Sequence, residues 1–214
     1  MSTEESSTPL GPPASRRRLS SDSDSSPWRS RGYLPHFERP GLVQALTFRL
    51  SDSVPARVIE QWKSELSRST LPSELEGKLR KHLARYEDQG QGVCWLRKDP
   101  IAALVERALL EFDDDRYRII AWCIMPNHVH ALIETLGEWT LDRVVHGWKS
   151  YTAHEANRVL GRTGQFWARE YHDRFVRDDD HLKKAIRYIE NNPVNAGLVP
   201  VAEAWPRSSA GYGR

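Results

Sequence analysis

Residues 117–135 read YRIIAWCIMPNHVHALIET. Two apolar runs, Tyr117–Met125 and His128–Thr135, flank Pro126-Asn127, a dipeptide suited to a tight turn. The stretch predicts an antiparallel hairpin. Side chains along a strand alternate between faces, so His128 and His130 share one face while Val129 points to the other. Two neighbouring imidazoles on a rigid strand are able to hold a divalent metal. HxH alone recurs by chance in many proteins. Here the pair opens its strand directly after the turn, where a hairpin end meets solvent.

On the N-terminal side, Leu42–Leu50 (LVQALTFRL) reads as a strand. Pro55 opens a helix over 56–67, in which Val58, Ile59, Trp62 and Leu66 fall near helical spacing. Pro72, suited to a first helical turn, precedes a second helix over 73–86, and Gly90 and Gly92 mark a loop. The stretch 100–112 is strongly amphipathic, with Ile101, Leu104, Ala108 and Phe112 on one stripe. Beyond the hairpin, 141–160 reads as a long helix ended by Gly161, and 165–177 as a strand of alternating aromatic and polar residues. A last helix over 179–191 is expected to stop before Pro193, because the residue preceding proline avoids helical geometry. The order strand, helices, hairpin, helix, strand, helix predicts an α+β sandwich with an antiparallel sheet covered by helices.

Composition sets the outer bounds. The 214 residues, 39% of them hydrophobic, suffice for one domain with a real core. Residues 1–36 are rich in Ser, Pro and Arg with little to bury, and are expected to be a disordered tail before a globular domain at 37–210. Cys94 and Cys123 have no CxxC spacing and read as buried free thiols. No apolar run approaches the roughly 18 residues of a membrane span, and Arg16-Arg17-Arg18 is followed by no apolar segment of a secretory signal. A cytoplasmic protein with no membrane partner is the expectation. The net charge of +2, from 31 Lys+Arg against 29 Asp+Glu, neither requires nor excludes a nucleic-acid partner.

Of the seven tyrosines, Tyr188 has Lys184 and Asn192 one helical turn away on either side. A phenol with a pKa of roughly 10 is a poor nucleophile at neutral pH without electrostatic help. Lys184 and Arg187 could favour phenolate, and Asn192 could offer an oxygen to the same metal. This reasoning alone does not separate Tyr188 from Tyr151 or Tyr171.

The stretch AWCIMPNHVHALIE (121–134) resembles the HUH motif, histidine–bulky hydrophobe–histidine, of single-tyrosine transposases, and RYIENNPVNAGLV (187–199) resembles their tyrosine helix. The spacing between them and the intervening GQFWAREYHDRFVRD (164–178) are similar too. Together these resemble the REP-associated tyrosine transposases. The resemblance implies a ferredoxin-like fold, His128 and His130 as metal ligands, Asn192 completing the site for Mg²⁺ or Mn²⁺, and Tyr188 as nucleophile. It further implies cleavage and rejoining of single-stranded or hairpin DNA through a 5′-phosphotyrosine link, by a monomer or a homodimer. The tail and the helical insert between Pro72 and Gly92 do not match compact members of that family.

Phosphate contacts are expected from Lys149, Arg158, Arg174, Arg177, Lys183, Lys184 and Arg187, and base stacking from Trp148, Trp167 and Tyr171 if these are not core. Trp122 reads as core, Asp178-Asp179-Asp180 as a helix N-cap with a second-metal role as the alternative, and His172 and Asp173 as groups supporting the site or as edge-strand polar residues. His146 and His154 show no ligand pattern. The alternatives are a hairpin-binding protein without cleavage, a metal-dependent hydrolase in which a carboxylate such as Glu134 joins the histidines to activate water, and a plain nucleic-acid-binding module in which the histidines are structural.

Overall fold

The computed structural model describes residues 28–30, 35–37, 41–69 and 71–212. A short antiparallel pair, β1 (Trp28–Ser30) and β2 (Pro35–Phe37), precedes the main body. The remainder of the N-terminal tail lies outside the described residues.

The expected elements form close to their expected places. The main strands are β3 (Val43–Leu50), β4 (Tyr117–Ile124), β5 (His128–Thr135) and β6 (Trp167–Phe175), in the order β4-β5-β3-β6, and every pairing is antiparallel. Met125 falls outside β4 because it closes the turn, its N–H donating to His128 O across Pro126-Asn127. The helices are α1 (Ala56–Ser69), α2 (Pro72–Asp88), α3 (Asp99–Leu110), α4 (Leu141–Leu160) and α5 (Asp179–Glu190). Thr140 caps α4 by accepting from Arg143 N–H, and Gly161 ends it in the left-handed conformation at φ 62°. Asp178 accepts from His181 N–H, so the acidic run is a helix cap, as its position suggested. The last helix stops at Glu190, ahead of Pro193, and Pro193 then helps to open a further short turn, α6 (Asn192–Asn195), where its missing N–H costs nothing.

The sheet is covered on both faces. Leu46, Phe48, Leu50, Val129, Ala131 and Ile133 point toward α3 and α4 and pack on Ile101, Leu104, Val105, Val144 and Trp148. Ala121, Cys123, Met125 and Leu132 point the other way, onto Ile189 and Leu182 of α5. The βαββαβ order of a ferredoxin-like layer is thus present, with α1–α2 as an extra helix pair between the first strand and α3. That pair has a small core of its own, Val54, Ile59, Leu79 and Leu83. The 201–212 segment runs along the outer edge of β4, where Ser209 N–H donates to Trp122 O and Ile124 N–H to Arg207 O. This pairing closes an otherwise open edge. Both cysteines are free and buried, and Trp122 is core. No helix among the described residues is long and apolar enough to cross a membrane.

The loop after α2 is tightly seated. Gly92 has φ +87°, and a Cβ there would lie 2.8 Å from Asp52 O. Gly92→Ala is expected to lower unfolding free energy by about 2 kcal/mol through backbone strain and this clash. Urea denaturation measures it, and an unchanged midpoint would show that the loop is not constrained.

Candidate active site

The register of β3 on β5 places Thr47 opposite His130 and Arg49 opposite His128, all on the α5 face of the sheet. Both histidines are buried, and their Nε2 atoms stand 2.9 Å apart. Each Nδ1 has its own partner. His128 Nδ1 is 2.7 Å from Asn127 Oδ1, and His130 Nδ1 is 2.7 Å from Thr47 Oγ1. Asn127 Nδ2 donates to Glu87 O and Gln91 O, so its oxygen is the atom that faces His128. Nδ1 of His128 must then carry the proton, which leaves Nε2 as a lone pair. The Thr47 hydroxyl can donate or accept. Without a cation, the consistent pattern is Thr47 O–H to His130 Nδ1 and His130 Nε2–H to His128 Nε2. With a cation between the rings, His130 turns its proton to Nδ1 and donates to Thr47. Burial holds His130 down to about 4 and His128 well below its ordinary range, so both are neutral at pH 7, the form that ligates a metal.

The Tyr188 ring lies 5.6 Å from that of His130, at 75°. Asn192, on the first residue of α6, hydrogen-bonds to the phenol, and its Oδ1 is buried with no hydrogen-bond partner. The phenol is pushed up to about 12, first by burial and then by the negative charges of Asp88 and Glu87; the Asn192 hydrogen bond opposes this. The charges that act most on Tyr188 are therefore acidic, and the expected help from Lys184 and Arg187 is not what sets its state. Tyr151 and Tyr171 are placed elsewhere: Tyr151 is exposed on α4, and Tyr171 is buried against Lys149. Of these three tyrosines, the fold brings Tyr188 to the histidines.

Asp88, the last residue of α2, is the member that sequence reading missed. Its carboxylate and the two imidazoles each place a ligand atom within 4.8 Å of one another, and Asp88 Oδ1 lies 3.8 Å from His128 Nε2. Burial raises Asp88 to about 6. Next to it, Glu87 is raised to about 8 by burial despite its 3.0 Å pair with Arg49. Nothing local marks Asp88, since it precedes a glycine-containing loop and stands 40 residues before His128. Two facing imidazole nitrogens, plus buried Asp88 and Asn192 oxygens without hydrogen-bond partners, form a donor set that suits a divalent cation.

A groove of about 760 Å³ leads outward from His130 and Tyr188. β3 and β6 form its floor, α5 one wall and α2 the other, with Arg174, Arg177 and Lys184 on its surface beside Arg80 and Lys81. His172 also lines it, opposite Thr47 in the register. Asp173 lies opposite Leu46 and accepts from Gln44. Arg187 is exposed on α5 but does not line the groove. Lys149 is not brought to this site: it sits on α4, donating to Arg169 O at 2.8 Å. Arg158 is held by Glu155. The stacking candidates on that face are packed, Trp148 donating to the Tyr117 hydroxyl and Trp167 to Thr152. Glu134 pairs with Arg118 near the far end of β5 and lies outside the metal-competent cluster, in which the carboxylate beside the histidines is Asp88.

Comparison with known proteins agrees with these features. Residues 98–192 match the sequence model of a family described as "Transposase IS200 like". A Haemophilus influenzae protein named "Putative REP-associated tyrosine transposase" is 30% identical over 104 residues, covering 44% of this chain and 58% of that protein. The chain resembles the REP-associated tyrosine transposases. A solved REP-associated tyrosine transposase bound to a REP hairpin shares the fold, with a TM-score of 0.52 at 16% identity over 83% of this chain and 82% of that one. A second solved structure, of a putative transposase from Deinococcus radiodurans, aligns with a TM-score of 0.32 at 14% identity, covering 77% of this chain and 96% of that one. The family match runs from α3 to Asn192. It takes in both histidines and Tyr188 and leaves out α1, α2 and Asp88.

The hydrogen-bond pattern makes the tautomers observable. In metal-free protein at pH 7, long-range ¹H–¹⁵N spectra should show His128 as Nδ1–H and His130 as Nε2–H. Titration with Mg²⁺ should move the His130 proton to Nδ1. A metal-free His130 already in the Nδ1–H form would contradict the role given to Thr47.

Proposed function

We propose that this chain cuts and rejoins single-stranded DNA at hairpin-forming elements, with Tyr188 as nucleophile. One observation carries the reading: the Tyr188 phenol stands beside a buried pair of neutral, converging imidazoles at the inner end of a cation-bearing groove. The resemblance to REP-associated tyrosine transposases, one of them bound to a REP hairpin, supports DNA of that kind as the substrate.

His128, His130 and Asn192 would hold Mg²⁺ or Mn²⁺, which when bound offsets negative charge on the scissile phosphate and on the phenolate. The phenolic oxygen of Tyr188 attacks phosphorus in line as its proton departs to solvent. The bond from phosphorus to the 3′ oxygen breaks, and that oxygen takes up a proton to become a free hydroxyl. The DNA then remains joined to Tyr188 as a 5′-phosphotyrosine ester. A second 3′-OH reverses the step on a new strand without ATP, because the ester retains the energy of the bond that was cut. Asn192 serves the chemistry directly by donating to the phenolic oxygen, which favours its ionised form. Arg174, Arg177 and Lys184 line the strand's approach and contact its phosphates.

The test is incubation of the full chain with labelled hairpin DNA and Mn²⁺, followed by denaturing electrophoresis. Wild type should give a metal-dependent covalent adduct, and Tyr188→Phe none, while still binding the DNA. Cleavage persisting in Tyr188→Phe would transfer the chemistry to activated water. Lys184→Ala and Arg174→Ala should each weaken binding and reduce the slope of log affinity against log salt by about 0.7, the value for one phosphate contact on a single strand. An unchanged slope would remove that residue from the DNA interface.

A further inference from the structure

The α1–α2 pair lies outside the span matched by the transposase family, has its own small core, and ends at the metal-competent site. Three contacts dock its end there. Asn127 Nδ2 donates to Glu87 O at the end of α2 and to Gln91 O in the loop beyond it, Arg49 pairs with Glu87, and Asp88 faces the imidazoles. The third contact is open: Asp88 Oδ1 is buried with no hydrogen-bond partner and stands 3.8 Å from His128 Nε2, beyond hydrogen-bond distance. A buried carboxylate oxygen that has lost water without gaining a partner is costly. A cation between them resolves the mismatch for all three groups at once.

Resting on the reading of His128 and His130 as metal ligands, we infer that Asp88 is a further direct ligand of the same divalent cation, so that the cation joins the α1–α2 insert to the catalytic sheet. A carboxylate is the hard oxygen donor that Mg²⁺ and Mn²⁺ prefer, and it supplies the negative charge that two neutral imidazoles and an amide lack. The consequence extends along the groove. Ala84 and Lys81 stand one and two turns before Asp88 on α2 and form the wall facing α5. A loaded cation therefore fixes that wall in place, and the strand path is completed only when metal is bound.

The test uses the full chain with Mn²⁺ alone. Affinity is read by calorimetry and by the Mn²⁺ electron paramagnetic resonance signal, and hydrogen exchange is followed over residues 72–92 with and without the ion. Asp88→Ala and the isosteric Asp88→Asn are compared with His128→Ala. The inference expects Asp88→Asn to bind Mn²⁺ at least tenfold more weakly than wild type, and Mn²⁺ to slow exchange in α2 of wild type but not of the variant. Asp88→Asn keeps the shape of the site, so it decides the matter if the alanine variant does not fold. Wild-type affinity in Asp88→Asn together with loss in His128→Ala would overturn the inference and leave the histidine site standing. Unchanged affinity in His128→Ala would instead remove the metal reading on which it rests.

Discussion

Asn127 donates its amide hydrogens to Glu87 O and Gln91 O, and its oxygen is thereby turned to His128 Nδ1. One buried side chain thus fixes three things: the end of α2, the tip of the β4–β5 hairpin and the tautomer of a metal-competent histidine. The constraint is strong because the Asn127 side chain is itself buried, and an unmatched amide group there would cost about 1–3 kcal/mol. A residue that looks in the sequence like ordinary turn chemistry is the point at which insert and sheet meet.

Around that point the charge balance is unusual for a buried place. Glu87 and Asp88 are adjacent and desolvated, both histidines are neutral, and Arg49 is the cation paired with Glu87. The phenol of Tyr188 is pushed up first by burial and then by the same two carboxylates. A divalent ion held there would reverse the sign of the local field and favour ionised Asp88 and ionised Tyr188 together.

The sheet separates packing from chemistry by the parity of its strands. Leu46, Phe48, Val129, Ala131 and Ile133 build the core beneath α3 and α4, while Thr47, His128, His130 and His172 face α5 and the groove. For that reason Lys149 and Trp148, chosen as DNA contacts by residue type, belong to the layer remote from Tyr188, whereas Arg174, Arg177 and Lys184 line the groove.

The chain's local pattern was enough to establish the hairpin at 117–135, the shared face of His128 and His130, the helix carrying Tyr188, and the alternation of strands and helices. These follow from periods of two and 3.6 residues and from turn and cap chemistry, all of which act between near neighbours. Asp88 beside the histidines, Thr47 against His130, the clamp made by Asn127, and the placing of the Tyr188 ring against that of His130 were decided only by the tertiary structure. They join positions distant in the chain, through sheet register and the docking of an insert with its own core. No local periodicity encodes such contacts, because they depend on which buried surfaces fit together.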